Sequence, residues 1–324
     1  DWSSDVCSSD LLVIETTPAP DPRVRSYVEG AGGTWLHRPD LEGTAAPRDR
    51  LFRVAHTPWV LCLDSHVLLE PGGLAALDAL VRADPRAHLL VQGPLVGPGH
   101  APLSHWRPTH PPALTGEWDH DPRVFRGEPF DIPAQGLGLF AMATEHWPGF
   151  HPRHSGFGGE EGYLHELVRR RGGRAVCLPA LGWRHWFRDL SVEPVGYAFH
   201  GQDHSFNLHV GHRELGIDAA DQLRASIGVP DGVRAAVERA AEAVQPWGQF
   251  APPAAGRRPG RRLVLEQRRP PLAAQALPGV GPEGRPVQPP PGAGGHLDLG
   301  PLRRQPVPGG RPAGPAGRVA RRHL

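Results

Sequence analysis

Apolar and β-branched residues crowd together in "LLVIETT" (residues 11–17), and a short run of this kind bounded by turn residues predicts a buried strand. The next stretch, "DPRVRSYVEGAGG", opens on Asp-Pro and closes on glycines, which brackets a helix. The same alternation then recurs. "TWLHRPD" predicts a second short strand, and "APRDRLFRVAH" a helix carrying Leu51, Phe52, Val54 and Ala55 on an otherwise arginine-rich surface. "WVLCLD" is the clearest buried strand, followed by the helix "PGGLAALDALVRAD" and the strand "AHLLVQGPLV". Farther on, "GLGLFAMATEHW" resumes strand character, and "GGEEGYLHELVRRRGG" places Leu164, Leu167 and Val168 at helical spacing. "RAVCLPALGWRHWF" predicts a strand that leaves a histidine at its end, and "DQLRASIGV" and "GVRAAVERAAEAV" close the core. Strands alternating with helices predict an α/β sheet with parallel strands.

Three segments break the pattern. From Gly97 to Pro133 the chain turns to Pro, His and Trp, a length and aromatic content that predict an ordered loop serving a site. Residues 249–324 collapse into Pro, Gly and Arg without apolar periodicity, which predicts a disordered tail. The leader, residues 1–11, "DWSSDVCSSDL", resembles the translation of a sequencing adapter. It is set apart from the folded domain, expected over 12–248 and incomplete at its N-terminus.

Composition narrows the class. At 324 residues with 39% hydrophobic content the chain can bury a core. A formal charge of +1 gives no global field for nucleic acid or membrane. An arginine-rich tail could still serve as a nucleic-acid arm, with steeply salt-dependent binding. Cys7, Cys62 and Cys177 show no CxxC spacing, so neither a disulfide framework nor a zinc ribbon is expected. With no apolar stretch of about 18–20 residues and no basic-then-apolar leader, a cytoplasmic protein without an integral membrane segment is expected.

The candidate chemistry begins at "LCLDSHVLLEPG". Residues i and i+2 of a strand share a face, so Asp64 and His66 could converge on one divalent ion at the carboxyl end of "WVLCLD", where open α/β sheets bind ligands. The plain alternative is a polar turn after a buried strand. A second group, "HGQDHSFNLHVGH", gathers His200, Asp203, His204, His209 and His212. It reads as a polar, partly solvated segment or as the metal cluster of a hydrolase.

Three blocks in combination, "PRDRLFRVAHTPWVLCLDSHVLLEPG", "GFGGEEGYLHELVRRRGG" and "GWRHWFR", resemble the family-2, GT-A-type glycosyltransferases over about Leu12 to Arg188. The Asp-Ser-His version of the metal motif resembles that of the polypeptide N-acetylgalactosaminyltransferases. The resemblance implies a Rossmann-like, mostly parallel mixed sheet flanked by helices, and transfer of a sugar from a nucleotide sugar, UDP-linked by expectation, to an acceptor hydroxyl. It implies Asp64, His66 and His185 as ligands of a divalent metal, manganese by expectation, with Asp64 also facing the donor phosphates. It makes Glu161 the candidate base and Glu160 a substrate-binding neighbour. In inverting relatives the second acid is the base, whereas retaining relatives replace it. Both glutamates also suit a plain role at a helix N-terminus. Arg48 and Arg50 fall where the family has an arginine near the nucleotide, with a solvated helix surface as the alternative. Glu15 matches a nucleotide-contacting acid at a strand end, and Trp183, beside Trp186, is a candidate to stack on a base or sugar.

Overall fold

The computed structural model describes residues 11–97, 101–108, 114–186, 201–217, 231–245 and 247. The adapter-like residues before Leu11, His200, "DQLRASIGV" and the Pro/Gly/Arg-rich tail lie outside the described residues. In chain order the first half contains β1 (Leu12–Glu15), α1 (Pro22–Gly30), β2 (Thr34–His37), α2 (Ala45–Val54), β3 (Trp59–Leu63), β4 (Val67–Leu69), α3 (Gly73–Ala83) and β5 (Leu89–Gln92). The second half contains β6 (His105–Pro108), β7 (Gly116–Asp119), β8 (Phe130–Asp131), β9 (Leu139–Ala143), α4 (Glu161–Arg170), β10 (Arg174–Cys177), β11 (Trp183–His185), α5 (Gly201–Glu214) and α6 (Asp231–Glu242). None of the helices is long and apolar enough to cross a membrane.

A five-stranded sheet in the order β3-β9-β5-β10-β8 organises the molecule. β5 and β10 are parallel, while β9 runs antiparallel to both β3 and β5. β3, β5 and β10 therefore point the same way, and the reversed β9 between β3 and β5 makes the sheet mixed. β9 is buried at every position, as a strand covered on both faces must be. Its side chains alternate between two cores: Phe140 and Met142 join Phe52, Tyr163, Leu164 and Val168 on the face covered by α2 and α4. Leu139 and Ala141 join Leu77, Leu181 and Trp183 on the face covered by α3.

Local chemistry sets the helix ends. Asp21 caps α1 by accepting from the Arg23 N–H, with Pro22 in the first turn. α4 stops at Gly172, whose φ of 80° takes the left-handed conformation while the N–H of Gly173 returns to the Val168 carbonyl. β1 and β2 form a separate parallel pair, and α2 packs against both β1 and β3. Among the described residues the outer edge of β3 carries no strand.

Two expectations are revised. The Gly97–Pro133 segment is more than a loop: β6 and β7 pair antiparallel, a short 3-10 helix follows at Pro122–Arg126, and β8 adds to β10. Gln135, fully buried, donates its amide to the carbonyls of Gly93 and Ser104 and so fastens the hairpin to the sheet. "RAVCLPALGWRHWF" is two strands, because the chain turns where the Leu181 N–H meets the Leu178 carbonyl, and β11 then pairs antiparallel with β4. That pairing sets His185 opposite Val67, next to His66. Cys62 and Cys177 are buried and unpaired, as expected of reduced thiols.

Close backbone approach fixes where β5 ends: a methyl group added at Gly93 would collide with the backbone of Leu181, whereas one at Gly30 would meet nothing within 4 Å. Gly93→Ala should therefore destabilise the chain by about 1–3 kcal/mol, and Gly30→Ala, at the end of α1, should be neutral or slightly stabilising. Denaturant melts of the two variants beside the parent check both signs.

Candidate functional site

β3 runs out at Leu63, and the next three residues turn into β4, with the N–H of Val67 on the Asp64 carbonyl. Asp64-Ser65-His66 is therefore a turn, as the plain reading held, and it also gathers side chains that could hold an ion. The Asp64 N–H is anchored on the Gly138 carbonyl at 3.0 Å. The Trp186 N–H is anchored on the His66 carbonyl at 2.8 Å, which closes the end of β11 against the turn. His66 and His185 meet with Nε2 atoms 2.9 Å apart and rings near perpendicular at 87°. One donor atom each from Asp64, His66 and His185 lies within 4.8 Å of the others, and all three side chains are half-buried.

These donors fit a divalent ion. One carboxylate and two imidazoles suit the borderline first-row metals, and the two imidazole Nε2 atoms lie 2.9 Å apart. Among the described residues this is the group of His, Cys, Asp and Glu side chains close enough to share an ion. Two histidines of α5 are engaged elsewhere. His209 Nδ1 contacts the Ser205 carbonyl, while buried His212 contacts the Leu208 carbonyl and accepts from the Leu114 N–H.

Arg48 joins the Asp64–His66–His185 trio to the acidic pair. It is buried, not on a solvated helix face, and its guanidinium donates to Asp64 Oδ1 and Glu160 Oε1, each at 2.9 Å. Burial works against the charge, but the two carboxylates more than offset it and hold Arg48 protonated. The Thr44 hydroxyl donates to the same Glu160 oxygen. The other oxygen, Glu160 Oε2, is buried without a hydrogen-bond partner, a costly condition that polar ligands relieve. Glu161 Oε2 accepts from the Gly159 N–H at 2.9 Å. Burial raises both carboxyls above the ordinary glutamate value, Glu160 further through its neighbour Glu161.

The remaining candidates are placed as follows. Trp183 is 2% exposed, donates its indole N–H to the Gly93 carbonyl, and packs against Gly138 beneath His185. It supports the metal arm from below and offers no open ring face, whereas its neighbour Trp186 is 69% exposed. Glu15 accepts from the Thr17 hydroxyl, the Asp21 N–H and the Trp35 indole. Burial opposes its charge, but these hydrogen bonds prevail and lower its pKa. Arg50 has a buried Nε with no partner. Thr44 and Gly138 are site residues that the sequence did not single out. A threonine before a helix and a glycine between apolar residues carry no distinguishing signal until the contacts with Glu160 and Asp64 are seen.

No family model matches the chain, and no curated protein is similar to it. Among solved structures it is similar to "GalNAc-T7 with UDP, GalNAc and Mn2+", at 15% identity and a TM-score of 0.51, covering 72% of this chain and 48% of that one. It is also matched to S. aureus TarS 1-349 in complex with UDP-GlcNAc, at 13% identity and a TM-score of 0.43, covering 69% of this chain and 63% of that one. The chain thus spans about half the length of the GalNAc-T7 chain. The fold is the GT-A type of mixed α/β sheet that the three sequence blocks implied, except that the central sheet is not mostly parallel: β9 runs antiparallel to β3 and β5, and β8 antiparallel to β10.

Proposed function

We propose that the chain is a glycosyltransferase that moves a sugar from a nucleoside-diphosphate donor to an acceptor hydroxyl. The observation that carries this reading is the convergence of Asp64, His66 and His185 at the end of β3, joined through Arg48 to Glu160 at the start of α4, within a GT-A fold. The donor trio alone would suit several ions and several chemistries. The UDP, GalNAc and Mn2+ held by the GalNAc-T7 structure favour a UDP-sugar and manganese over the alternatives. A divalent ion bound there would neutralise charge on the departing diphosphate.

The protein's own groups take the remaining roles. Arg48 donates to Asp64 Oδ1 and orients it, so that its carboxylate is preset for an ion. Glu160, with one oxygen fixed by Arg48 and Thr44, offers Oε2 to a sugar hydroxyl. Glu161 is the base for the acceptor hydroxyl: its raised pKa brings it nearer to neutrality, where a carboxylate is a better proton acceptor. This is the role the inverting relatives assign to the second acid.

Calorimetric titration with UDP, with and without Mn2+, tests the reading. Binding should require the ion, and an Asp64→Ala/His66→Ala double variant should weaken it by at least about 10-fold. Equal binding with and without Mn2+, or an unaffected variant, would overturn the proposal.

The buried carboxyl makes a second prediction. Glu160 binds its proton more tightly in the folded chain than in the unfolded one, so its protonation stabilises the fold. That contribution is complete below the ordinary value of 4.5 and is lost as pH rises through the raised value. Glu160→Gln keeps an acceptor for Arg48 and Thr44 and cannot ionise. Its melting temperature, followed without added metal from pH 4.5 to neutrality, should fall less steeply than that of the parent; parallel slopes would contradict the assignment.

A further inference from the structure

The acidic pair is delivered by a turn with little side-chain substance of its own. Gly156, Gly158 and Gly159 have φ values of 58°, 82° and 85°, in the left-handed region that glycine enters at no steric cost. A turn of this kind makes no regular ladder, so its backbone groups need other partners. The Gly156 carbonyl accepts from the Thr44 N–H at 2.9 Å, and the Gly159 N–H is taken by Glu161. One side chain holds the turn at three further points. Asn207, on α5 and 1% exposed, accepts from the Ser155 N–H at 3.0 Å and donates to the carbonyls of Ser155 and Gly158 at 2.8 and 2.7 Å.

The turn also lies flush on α5. A Cβ at Gly158 would come within 2.8 Å of the His204 ring, and one at Gly159 within 2.8 Å of the His204 carbonyl and 3.0 Å of Asn207 Cβ. Glu160 and Glu161 follow at once as the cap and first residue of α4. The direction in which the glycine turn leaves α5 therefore sets where both carboxylates stand relative to Arg48 and the metal ligands.

We infer that Asn207 is a positioning residue: its amide holds the Ser155–Gly159 turn against α5 and thereby places Glu160 and Glu161. The consequence for catalysis rests on the transferase reading of that pair; the placement of the turn does not. Asn207→Asp is the sharp variant, because it keeps the size and the acceptor for Ser155 while replacing two donated hydrogen bonds with carboxylate oxygens facing carbonyls. Asn207→Ala removes all three bonds without adding charge.

The experiment compares full-length parent and both variants by amide hydrogen exchange and by turnover of UDP-N-acetylglucosamine and UDP-N-acetylgalactosamine with Mn2+. Exchange should speed up by about 10-fold or more over residues 155–162 and stay unchanged in β5 and β10. Affinity for UDP with Mn2+ should stay within about threefold, since no metal ligand is touched. kcat should fall by about 100-fold at constant KM, as expected when reacting groups are misplaced by about an ångström. Unchanged exchange over 155–162, or exchange accelerated equally throughout, would overturn the inference, as would kcat retained in the face of a loosened turn. If the parent turns over neither sugar nucleotide, the transferase reading fails, and the local exchange result alone decides whether Asn207 sets the turn.

Discussion

The bridge from Asp64 through Arg48 to Glu160 is the interaction on which the rest of the site depends. It spans two separately built regions, the end of β3 and the start of α4, and its Arg48–Glu160 half is buried while Asp64 stays partly exposed. Removing one member of such a buried arrangement typically costs about 3–5 kcal/mol, because the survivors keep their desolvation penalty. The bridge is therefore better understood as fixing geometry than as a net source of stability. It holds two carboxylates in register and leaves one Glu160 oxygen unsatisfied. Unsatisfied buried acceptors are uncommon in a folded protein, and under the transferase reading a sugar hydroxyl would satisfy this one.

Around the bridge, the fold supplies rigid supports of very different kinds. The reversed strand β9 is fully buried, and the residues just before it receive the Asp64 N–H on the Gly138 carbonyl. Trp183 fills the space below, so that β11 cannot sink and His185 stays level with His66. Gln92 donates to the Gly136 and Leu139 carbonyls and meets His165 of α4 at 2.6 Å. Fully buried side chains thus connect the floor of the metal site to the helix that carries the acids. Precision on this scale is what separates a set of suitable residues from a working site.

Much of this was legible in the sequence, for physical reasons that can be named. Hydrophobic runs of strand length alternating with amphipathic stretches betrayed the α/β class, and the glycines after α4 marked its stop. The Asp-Ser-His triplet, the acidic pair and the histidine after "GWR" marked the ends of elements that the fold brings together. Strand direction was not legible: β9 is apolar at every position, and a strand buried on both faces reads the same in either direction. The β6–β7 hairpin was hidden because Pro, His and Trp blur a period of two. Trp183 was expected to stack on a ligand, but nothing local distinguishes a tryptophan under a site from one over it. α5 buries Ser205, Asn207 and His212 along with Leu208 and Val210, so hydropathy disguised a core helix as a polar segment. For Arg48 the sequence left open a place near a nucleotide and a solvated helix surface, and its two carboxylate partners, distant in sequence, were not legible.

The balance of charge around Arg48 bears on the order of events at the site. Asp64 and Glu160 share the Arg48 guanidinium, and Glu161 lies close enough to Glu160 to help raise its carboxyl, so acidic groups outnumber the cation that faces them. Under the proposed transferase reading, the negative charge these acids carry would oppose a diphosphate at the low effective dielectric of a half-buried site. A divalent cation on the trio reverses the local sign. A nucleotide donor and its cation would then enter together or in sequence, cation first, and the nucleotide alone would meet a closed electrostatic door.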